Sequence, residues 1–254
     1  MARERNYSTN QLKKTIDSGG IGVIANGPNN SDICDFLGHL GFDAAFIDFE
    51  HGNVSWAELP DIARACELWG MASLVRVNRL DEAQRRRTLD QGASAVMVPH
   101  VITAADAELA ASACKYPPDG IRGVAGGRPA YGVEDYFRKA NEEVQCLALI
   151  EDYEAIDNLA ELTAVEGIDV FYVAPSDMAA SMGHTGDPGH REVQEAIERA
   201  IKLIIGAGRV AGTLANDQNL DKFLAMGVRC IGVPWQLWLK ESAEAFLART
   251  RRAG

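Results

Sequence analysis

The chain has 254 residues, of which 47% are hydrophobic and 24% are charged, a composition typical of a globular protein of one large domain. Its formal net charge of −11 disfavours non-specific binding to nucleic acid or to an anionic membrane, although a local arginine or metal ion can still attract an anionic substrate. The 5 cysteines are scattered and form no Cys-x-x-Cys pair, which argues against a disulfide framework and favours a reducing compartment, the cytoplasm.

Short apolar runs alternate with longer segments of helical spacing along the whole chain. In chain order, this pattern predicts strands at residues 21–26, 44–49, 73–77, 95–99, 145–151, 169–174, 209–214 and 228–233. Helical spacing lies between them, at residues 59–68, 85–91, 104–113, 158–162 and 193–205. Glycines stand just before several strands, where the preceding helix would end: Gly41, Gly70, Gly92, Gly167, Gly208 and Gly227.

Strand–helix units repeated over this length predict one (β/α)8 barrel domain, residues 1–254. A doubly wound sheet is the main alternative, but no Gly-x-Gly-x-x-Gly motif follows the first strand. The glycine-rich connection at residues 117–132 is interpreted as a mobile loop over an active site, its own or that of a neighbouring subunit. Residues 235–251 are predicted to form a terminal helix whose aromatic side chains pack against another subunit.

Polar side chains follow several predicted strands at their carboxyl ends, where a barrel of this kind builds its active site. The second strand leads into Asp-Phe-Glu-His-Gly at residues 48–52, and the third ends near Arg76. The fifth strand ends in Glu151, and Asp177 follows the sixth. Each acid alone could simply cap the next helix. Two acids, a histidine and an arginine on one rim instead predict catalysis.

Glu151 and Asp177 would lie on adjacent strands, so their carboxylate oxygens can meet at one ion. Two carboxylates with further positions open to water and substrate suit Mg²⁺ or Mn²⁺ better than Zn²⁺. His51 can take a proton near neutral pH, and Arg76 can stabilise a developing enolate oxygen. The other histidines have no spacing typical of a metal site and are interpreted as structural or loop residues: His39, His100, His184 and His190.

Five motifs occur in order over nearly the whole chain. They are Asp-Phe-Glu-His-Gly at 48–52, Leu-Asp-Gln-Gly-Ala at 89–93, Tyr-Pro-Pro-Asp-Gly-Ile-Arg-Gly at 116–123, Leu-Ile-Glu at 149–151 and Ala-Pro-Ser-Asp-Met at 174–178. Together, in this order and with these gaps, they resemble the HpcH/HpaI aldolases. The resemblance implies a (β/α)8 barrel whose last helix is exchanged between subunits, commonly in a hexamer, a trimer of dimers.

The resemblance also implies the activity. Members of that family are metal-dependent class II aldolases, which are aldehyde-lyases that make or split 4-hydroxy-2-oxo acids. The reaction passes through the enolate of pyruvate or of a related 2-oxo acid such as hydroxypyruvate, and an aldehyde is the second substrate.

Carried over by position, the resemblance assigns Glu151 and Asp177 as ligands of Mg²⁺ or Mn²⁺, with Co²⁺, Ni²⁺ or Zn²⁺ as alternatives. The backbone amides of Ser176 and Asp177 would bind the substrate carboxylate. Relatives usually carry Gln, facing the substrate, at the position of Leu149, and Gly at the position of Ala174. These two departures leave the identity of the oxo acid open.

The resemblance assigns the acid–base residues as well. His51 would be the base, either directly or through a water molecule, and Asp90 would raise the basicity of His51. Arg76 would stabilise the enolate oxygen.

Three other interpretations stay open. One is a lyase of acyl-CoA esters of the citrate lyase β type, although the chain shows no basic cluster for the phosphates of CoA. The second is oxaloacetate decarboxylation, which uses the same enolate. The third is a catalytically silent barrel that binds an oxo acid. No membrane partner is expected, because no apolar run of about 18 residues occurs.

Overall fold

The computed structural model describes residues 10–79 and 82–252, so residues 1–9, 80–81 and 253–254 of the predicted domain lie outside the description. The described strands form one closed parallel barrel in which neighbours in sequence pair and the last strand pairs with the first. They are β1 (Gly22–Asn26), β2 (Ala44–Asp48), β3 (Ala72–Arg76), β4 (Ala95–Val98), β5 (Gln145–Ile150), β6 (Val170–Val173), β7 (Ala211–Leu214) and β8 (Cys230–Pro234). The predicted barrel is confirmed, and so is each of its strands.

Helices surround the barrel. They are α1 (Gln11–Asp17), α2 (Ser31–Leu40), α3 (Leu59–Leu68), α4 (Glu82–Asp90), α5 (Ala104–Ser112), α6 (Tyr136–Glu143), α7 (Tyr153–Asp157), α8 (Leu159–Ala164), α9 (Pro175–Ser181), α10 (Arg191–Gly206), α11 (Leu220–Met226) and α12 (Gln236–Arg252). All predicted helical segments are present. Among the described helices, none is both long and apolar enough to cross a bilayer.

The strands are apolar on both faces because each face is covered. Side chains that point inward pack together inside the barrel, among them Ile24, Phe46, Leu74, Leu149 and Tyr172. The outward-facing side chains pack against the helices in separate clusters. Because successive side chains of a strand point to opposite faces, the last inward residue of each strand stands at the rim of the barrel.

Helix α1 closes the N-terminal end of the barrel. Leu12 and Ile16 are buried and belong to the cluster inside the barrel. At Gly22 a Cβ atom would lie 2.5 Å from Cδ1 of Leu12, so this close packing requires glycine. The opposite, C-terminal end is therefore the open end.

The predicted helix-ending glycines are confirmed by their backbone angles. Gly41 ends α2 with φ 96°, and Gly227 ends α11 with φ 94°. This left-handed conformation favours glycine because a Cβ atom would clash there. Each helix can thus stop and the chain turn directly into the next strand.

The connection at residues 117–132 lies at the N-terminal end of the barrel. Lys115, just after α5, donates to the carbonyl oxygen of Val144 at 2.8 Å, immediately before β5 begins. Arg122 is 1% exposed and pairs with Asp90 at 2.8 Å. The interpretation of this segment as a mobile loop over its own chain's active site is therefore wrong, because helices return the chain to the end of the barrel away from the rim.

Candidate active site

The segment that follows β2 is folded tightly around Asp48. Oδ1 of Asp48 accepts hydrogen bonds from the amides of Glu50 at 3.0 Å and His51 at 3.2 Å. At Gly52 a Cβ atom would lie 2.2 Å from the carbonyl oxygen of Asp48, so only glycine fits. This turn explains both the aspartate and the glycine of the motif at residues 48–52.

Arg76 is held by two carboxylates. The β2–β3 register places it beside Asp48, where Nε lies 3.0 Å from Oδ1 and Nη2 lies 2.6 Å from Oδ2. Nη1 of Arg76 lies 3.2 Å from Oε2 of Glu50. Burial raises the pKa of Asp48, but the hydrogen bond with Arg76 outweighs it and holds that pKa below its usual value. The result is a fixed guanidinium on the rim, 8% exposed.

Glu151 is the most buried acid of the rim. It directly follows β5 and is 3% exposed. Burial, helped by the nearby charges of Asp177 and Glu50, raises the pKa of Glu151 to about 7 against the opposing hydrogen bond from the amide of His100. The negative charges of Asp177 and Glu50 close to Glu151 are an environment that a divalent cation would stabilise.

His100 joins this cluster, although its sequence spacing predicts a structural or loop residue. Its Nδ1 lies 2.9 Å from Oδ2 of Asp152 and 3.5 Å from Oε1 of Glu151, and its Nε2 lies 3.9 Å from Oε1 of Glu50. Burial lowers the pKa of His100, but the hydrogen bond with Asp152 and the charges of the other acids raise it overall. The sequence signal for His100 is its position two residues after β4, at the same end of the barrel as the other rim residues.

A cavity of about 330 Å³ opens beside these residues. Of the predicted site residues, Arg76, Leu149, Ser176 and Asp177 line it. Its remaining lining residues are Ile24, Asn26, Gly27, Phe46, Asp48, Met97, Tyr172, Ala174, Leu214, Pro234 and Gln236. The structure thus brings the predicted substrate residues together around one space, with Leu149 as an apolar part of the wall.

Three predicted residues do not line this cavity: Glu151, directly after β5, and His51 and Asp90. The side chain of His51 is exposed on the turn after β2, at the rim. Asp90 ends α4, near the N-terminal end of the barrel, where it pairs with Arg122. Among the described contacts, none joins Asp90 to His51, and the two residues occupy opposite ends of one barrel. The structure therefore does not form the predicted pair within a single chain.

Two groups of three possible metal ligands occur among the described residues, each with donor atoms within 4.8 Å of one another. One is His100, Glu151 and Asp152, at the rim. The other lies on the surface between α9 and α10, and none of its members lines the cavity: His184, His190 and Glu192. The rim group shares Glu151 with the predicted ligand pair.

A family model described as HpcH/HpaI aldolase/citrate lyase matches residues 25–236. A 4-hydroxy-2-oxo-heptane-1,7-dioate aldolase from Klebsiella pneumoniae subsp. pneumoniae is 38% identical over 222 residues, which cover 85% of this chain and 83% of the relative. The match therefore includes nearly the whole barrel.

Two solved structures share the fold and part of the sequence. An HpcH/HpaI aldolase/citrate lyase family protein from Burkholderia cenocepacia has a TM-score of 0.89 and 30% identity, covering 96% of this chain and 100% of that chain. An HpcH/HpaI aldolase from Desulfitobacterium hafniense has a TM-score of 0.85 and 26% identity, covering 95% of this chain and 96% of that chain.

Proposed function

The chain belongs to the HpcH/HpaI aldolase/citrate lyase family, and from this premise we propose that it is a metal-dependent class II aldolase. It would reversibly cleave 4-hydroxy-2-oxo acids into an aldehyde and pyruvate or a related 2-oxo acid such as hydroxypyruvate. The observation that carries the proposal is the buried Glu151, with its raised pKa, near Asp177 on the same rim, where Asp177 and the fixed Arg76 line one cavity.

Glu151 and Asp177 would hold the divalent ion, with Mg²⁺ or Mn²⁺ favoured by an all-oxygen pair and Co²⁺, Ni²⁺ or Zn²⁺ as alternatives. His100 beside Glu151 offers a nitrogen ligand in the same place and would make the softer ions competitive. When bound, the ion supplies Lewis-acid polarisation of the substrate carbonyl.

Arg76 would stabilise the charge that develops on the C2 oxygen when the C3–C4 bond breaks. Asp48 and Glu50 hold its guanidinium in place before substrate arrives, so little reorganisation is needed during the reaction. The first-turn amides of a helix have no intrahelical acceptor. Those of Ser176 and Asp177 would accordingly bind the substrate carboxylate.

A base must take the proton of the C4 hydroxyl during cleavage and return a proton to C3 afterwards. His51 is the proposed base, with its imidazole accessible at the rim. His100 is the second candidate, because it lies against the same carboxylates. Asp90 would assist His51 only if it came from a second copy of the chain, since it lies at the other end of the barrel.

The quaternary structure is also a proposal. Helix α12 exposes large apolar side chains in its first turn and in its second half: Leu237, Trp238, Leu239, Phe246 and Leu247. An apolar pocket of about 310 Å³ lies at the start of this helix, between β1, β8 and α11. These two features support exchange of α12 between subunits in a hexamer built as a trimer of dimers. Light scattering after removal of residues 236–254 tests it, and an unchanged mass would refute it.

The buried, free cysteines suit a reducing compartment, which supports the prediction that the enzyme works in the cytoplasm.

Proton NMR in heavy water tests the activity. The protein is incubated with pyruvate, and separately with hydroxypyruvate, in the presence of Mg²⁺ or Mn²⁺ and then of a chelator. Loss of the C3 proton signal that depends on the metal is the expected result, because it reports enolate formation. No exchange with either acid under any metal would refute the aldolase proposal and favour the CoA-ester or silent-barrel interpretations.

A further inference from the structure

Two buried oxygen atoms in the cavity have no hydrogen-bond partner among the described residues. They are Oδ1 of Asn26, at the end of β1, and the hydroxyl of Tyr172, on β6. Both residues line the 330 Å³ cavity. A Cβ atom on Gly232 would lie 2.1 Å from the Tyr172 hydroxyl and 2.7 Å from Oδ1 of Asn26. The two oxygens therefore converge on one point of the β8 backbone.

An unpaired buried hydroxyl or amide oxygen destabilises a protein, because the hydrogen bonds it made with water are not replaced. Such a group in a binding cavity calls for a ligand that completes its hydrogen bonds. Burial raises the pKa of Tyr172 well above its usual value, although a contact with the backbone amide of Gly232 opposes this, so its hydroxyl stays protonated and can donate. Oδ1 of Asn26 can only accept. The pair thus offers one donor and one acceptor side by side, which matches an alcohol group.

The position of Asn26 and Tyr172 in the cavity indicates which part of the substrate contacts them. The oxo acid is assigned to the side of the barrel that carries Arg76 on β3, Glu151 just after β5 and Asp177 on α9. Asn26 stands on β1, and Tyr172 extends toward β8. This is the far wall of the cavity, where the aldehyde part of the substrate has to lie.

The charge of that wall excludes a second carboxylate on the aldehyde. Among the residues that line the cavity, the cation is Arg76, and both Asp48 and Glu50 already pair with it. The wall residues beside Asn26 are uncharged: Gly27, Leu214, Pro234 and Gln236. A carboxylate placed there would be desolvated without a partner, which is costly.

We propose that Asn26 and Tyr172 form the acceptor subsite of this enzyme and select a neutral, hydroxylated aldehyde. The inference rests on the proposed aldolase function and adds the class of the aldehyde to it. The aldehyde's α- or β-hydroxyl accepts from Tyr172 and donates to Asn26. In the synthetic direction, C3 of the oxo acid loses a proton and forms a bond to the aldehyde carbon. The aldehyde oxygen takes up a proton and becomes the new alcohol. Asn26 and Tyr172 contact the aldehyde's other hydroxyl and neither of the two reacting carbons.

The test compares matched aldehydes with pyruvate and Mg²⁺ or Mn²⁺. Glycolaldehyde and acetaldehyde differ by one hydroxyl, as do glyceraldehyde and its deoxy analogues, and succinic semialdehyde ends in a carboxylate. The wild-type kcat/KM for glycolaldehyde should exceed that for acetaldehyde and for succinic semialdehyde by at least about tenfold. The rate of pyruvate proton exchange is measured on the same preparations.

Tyr172→Phe removes the hydroxyl with almost no change of shape. It should lower the preference for glycolaldehyde over acetaldehyde by about 10- to 100-fold, and Asn26→Leu should do the same. The control is Tyr116→Phe, because Tyr116 is equally buried but lies outside the cavity, and the ratio should not change. Thermal melting shows whether each variant is folded.

Two outcomes would overturn the subsite. One is wild-type protein that exchanges pyruvate protons but uses acetaldehyde or succinic semialdehyde as well as glycolaldehyde. The other is a folded Tyr172→Phe variant whose preference matches that of Tyr116→Phe. Wild-type protein without any proton exchange would instead refute the aldolase function on which the subsite depends.

Discussion

Replacing Glu151 with glutamine should stabilise the metal-free protein at high pH. Glu151 is 3% exposed, and burial together with Asp177 and Glu50 raises its pKa to about 7. In the unfolded chain the same carboxyl titrates at its ordinary value of 4.5. The folded state therefore holds a proton between about pH 4.5 and 7 that the unfolded chain has already lost. Stability of the wild type consequently falls as pH rises through this window.

The magnitude follows from the two pKa values. One pKa unit corresponds to about 1.4 kcal/mol, so ionising Glu151 in the folded state costs up to about 3 kcal/mol above pH 7. Glutamine does not titrate, and its carbonyl oxygen can still accept from the amide of His100. The free energy of unfolding of Glu151→Gln should therefore be higher than that of the wild type by up to about 3 kcal/mol at pH 8 and by less than about 1 kcal/mol at pH 5.

Urea denaturation in the presence of a chelator, at several pH values from 5 to 8, measures this difference. Glu154→Gln serves as the control, because Glu154 is an exposed glutamate of α7. The difference between its free energy of unfolding and that of the wild type should not grow with pH. Saturating Mg²⁺ at pH 8 should stabilise the wild type but not Glu151→Gln. The reasoning is refuted if Glu151→Gln is no more stable than the wild type at pH 8, or if the gap does not change with pH.

Substitutions at three other rim residues have predictable effects. Asp177→Asn should abolish metal-dependent pyruvate exchange, measured by NMR, because one of two proposed carboxylate ligands is lost. Arg76→Ala should lower kcat by roughly 10²–10³-fold and change KM much less, in steady-state assays of cleavage. His100 has φ 52°, so His100→Val should destabilise the fold by roughly 1–2 kcal/mol in urea titrations, whereas His100→Gly should not suffer this backbone strain.

Each of these has a result that would contradict it. Turnover like that of the wild type in Asp177→Asn would remove Asp177 from the metal site. Equal effects on kcat and KM in Arg76→Ala would make Arg76 a clamp for the substrate carboxylate. Equal stability of the valine and glycine variants at position 100 would mean that the left-handed backbone is not maintained there.

The local sequence pattern predicted most of the fold. Runs such as residues 145–150 are long enough for one strand and are completely buried, and glycines at or just after several helix ends mark where the chain turns back. These signals depend on neighbours within a few residues. The predicted strands, the barrel and the rim positions of Arg76, Glu151 and Asp177 were therefore within reach of the sequence.

The sequence missed His100 for a different reason. Its meaning depends on Glu151 and Asp152, which lie more than 50 residues away and come close only because β4 pairs with β5. The motif that contains Asp90 was recognised, but its location was not. Only the return of α4 to the N-terminal end of the barrel separates Asp90 from His51.

The sequence by itself determined the alternation of strands and helices, the glycine turns and the acidic residues at the ends of the strands, because all of these are set by local periodicity and backbone sterics. Tertiary structure alone decided which side chains share a space. Closure of the barrel pairs β8 with β1 and brings Asn26, Tyr172 and Gly232 together from three distant parts of the chain. No local pattern encodes that contact, since it depends on the register of all the strands at once.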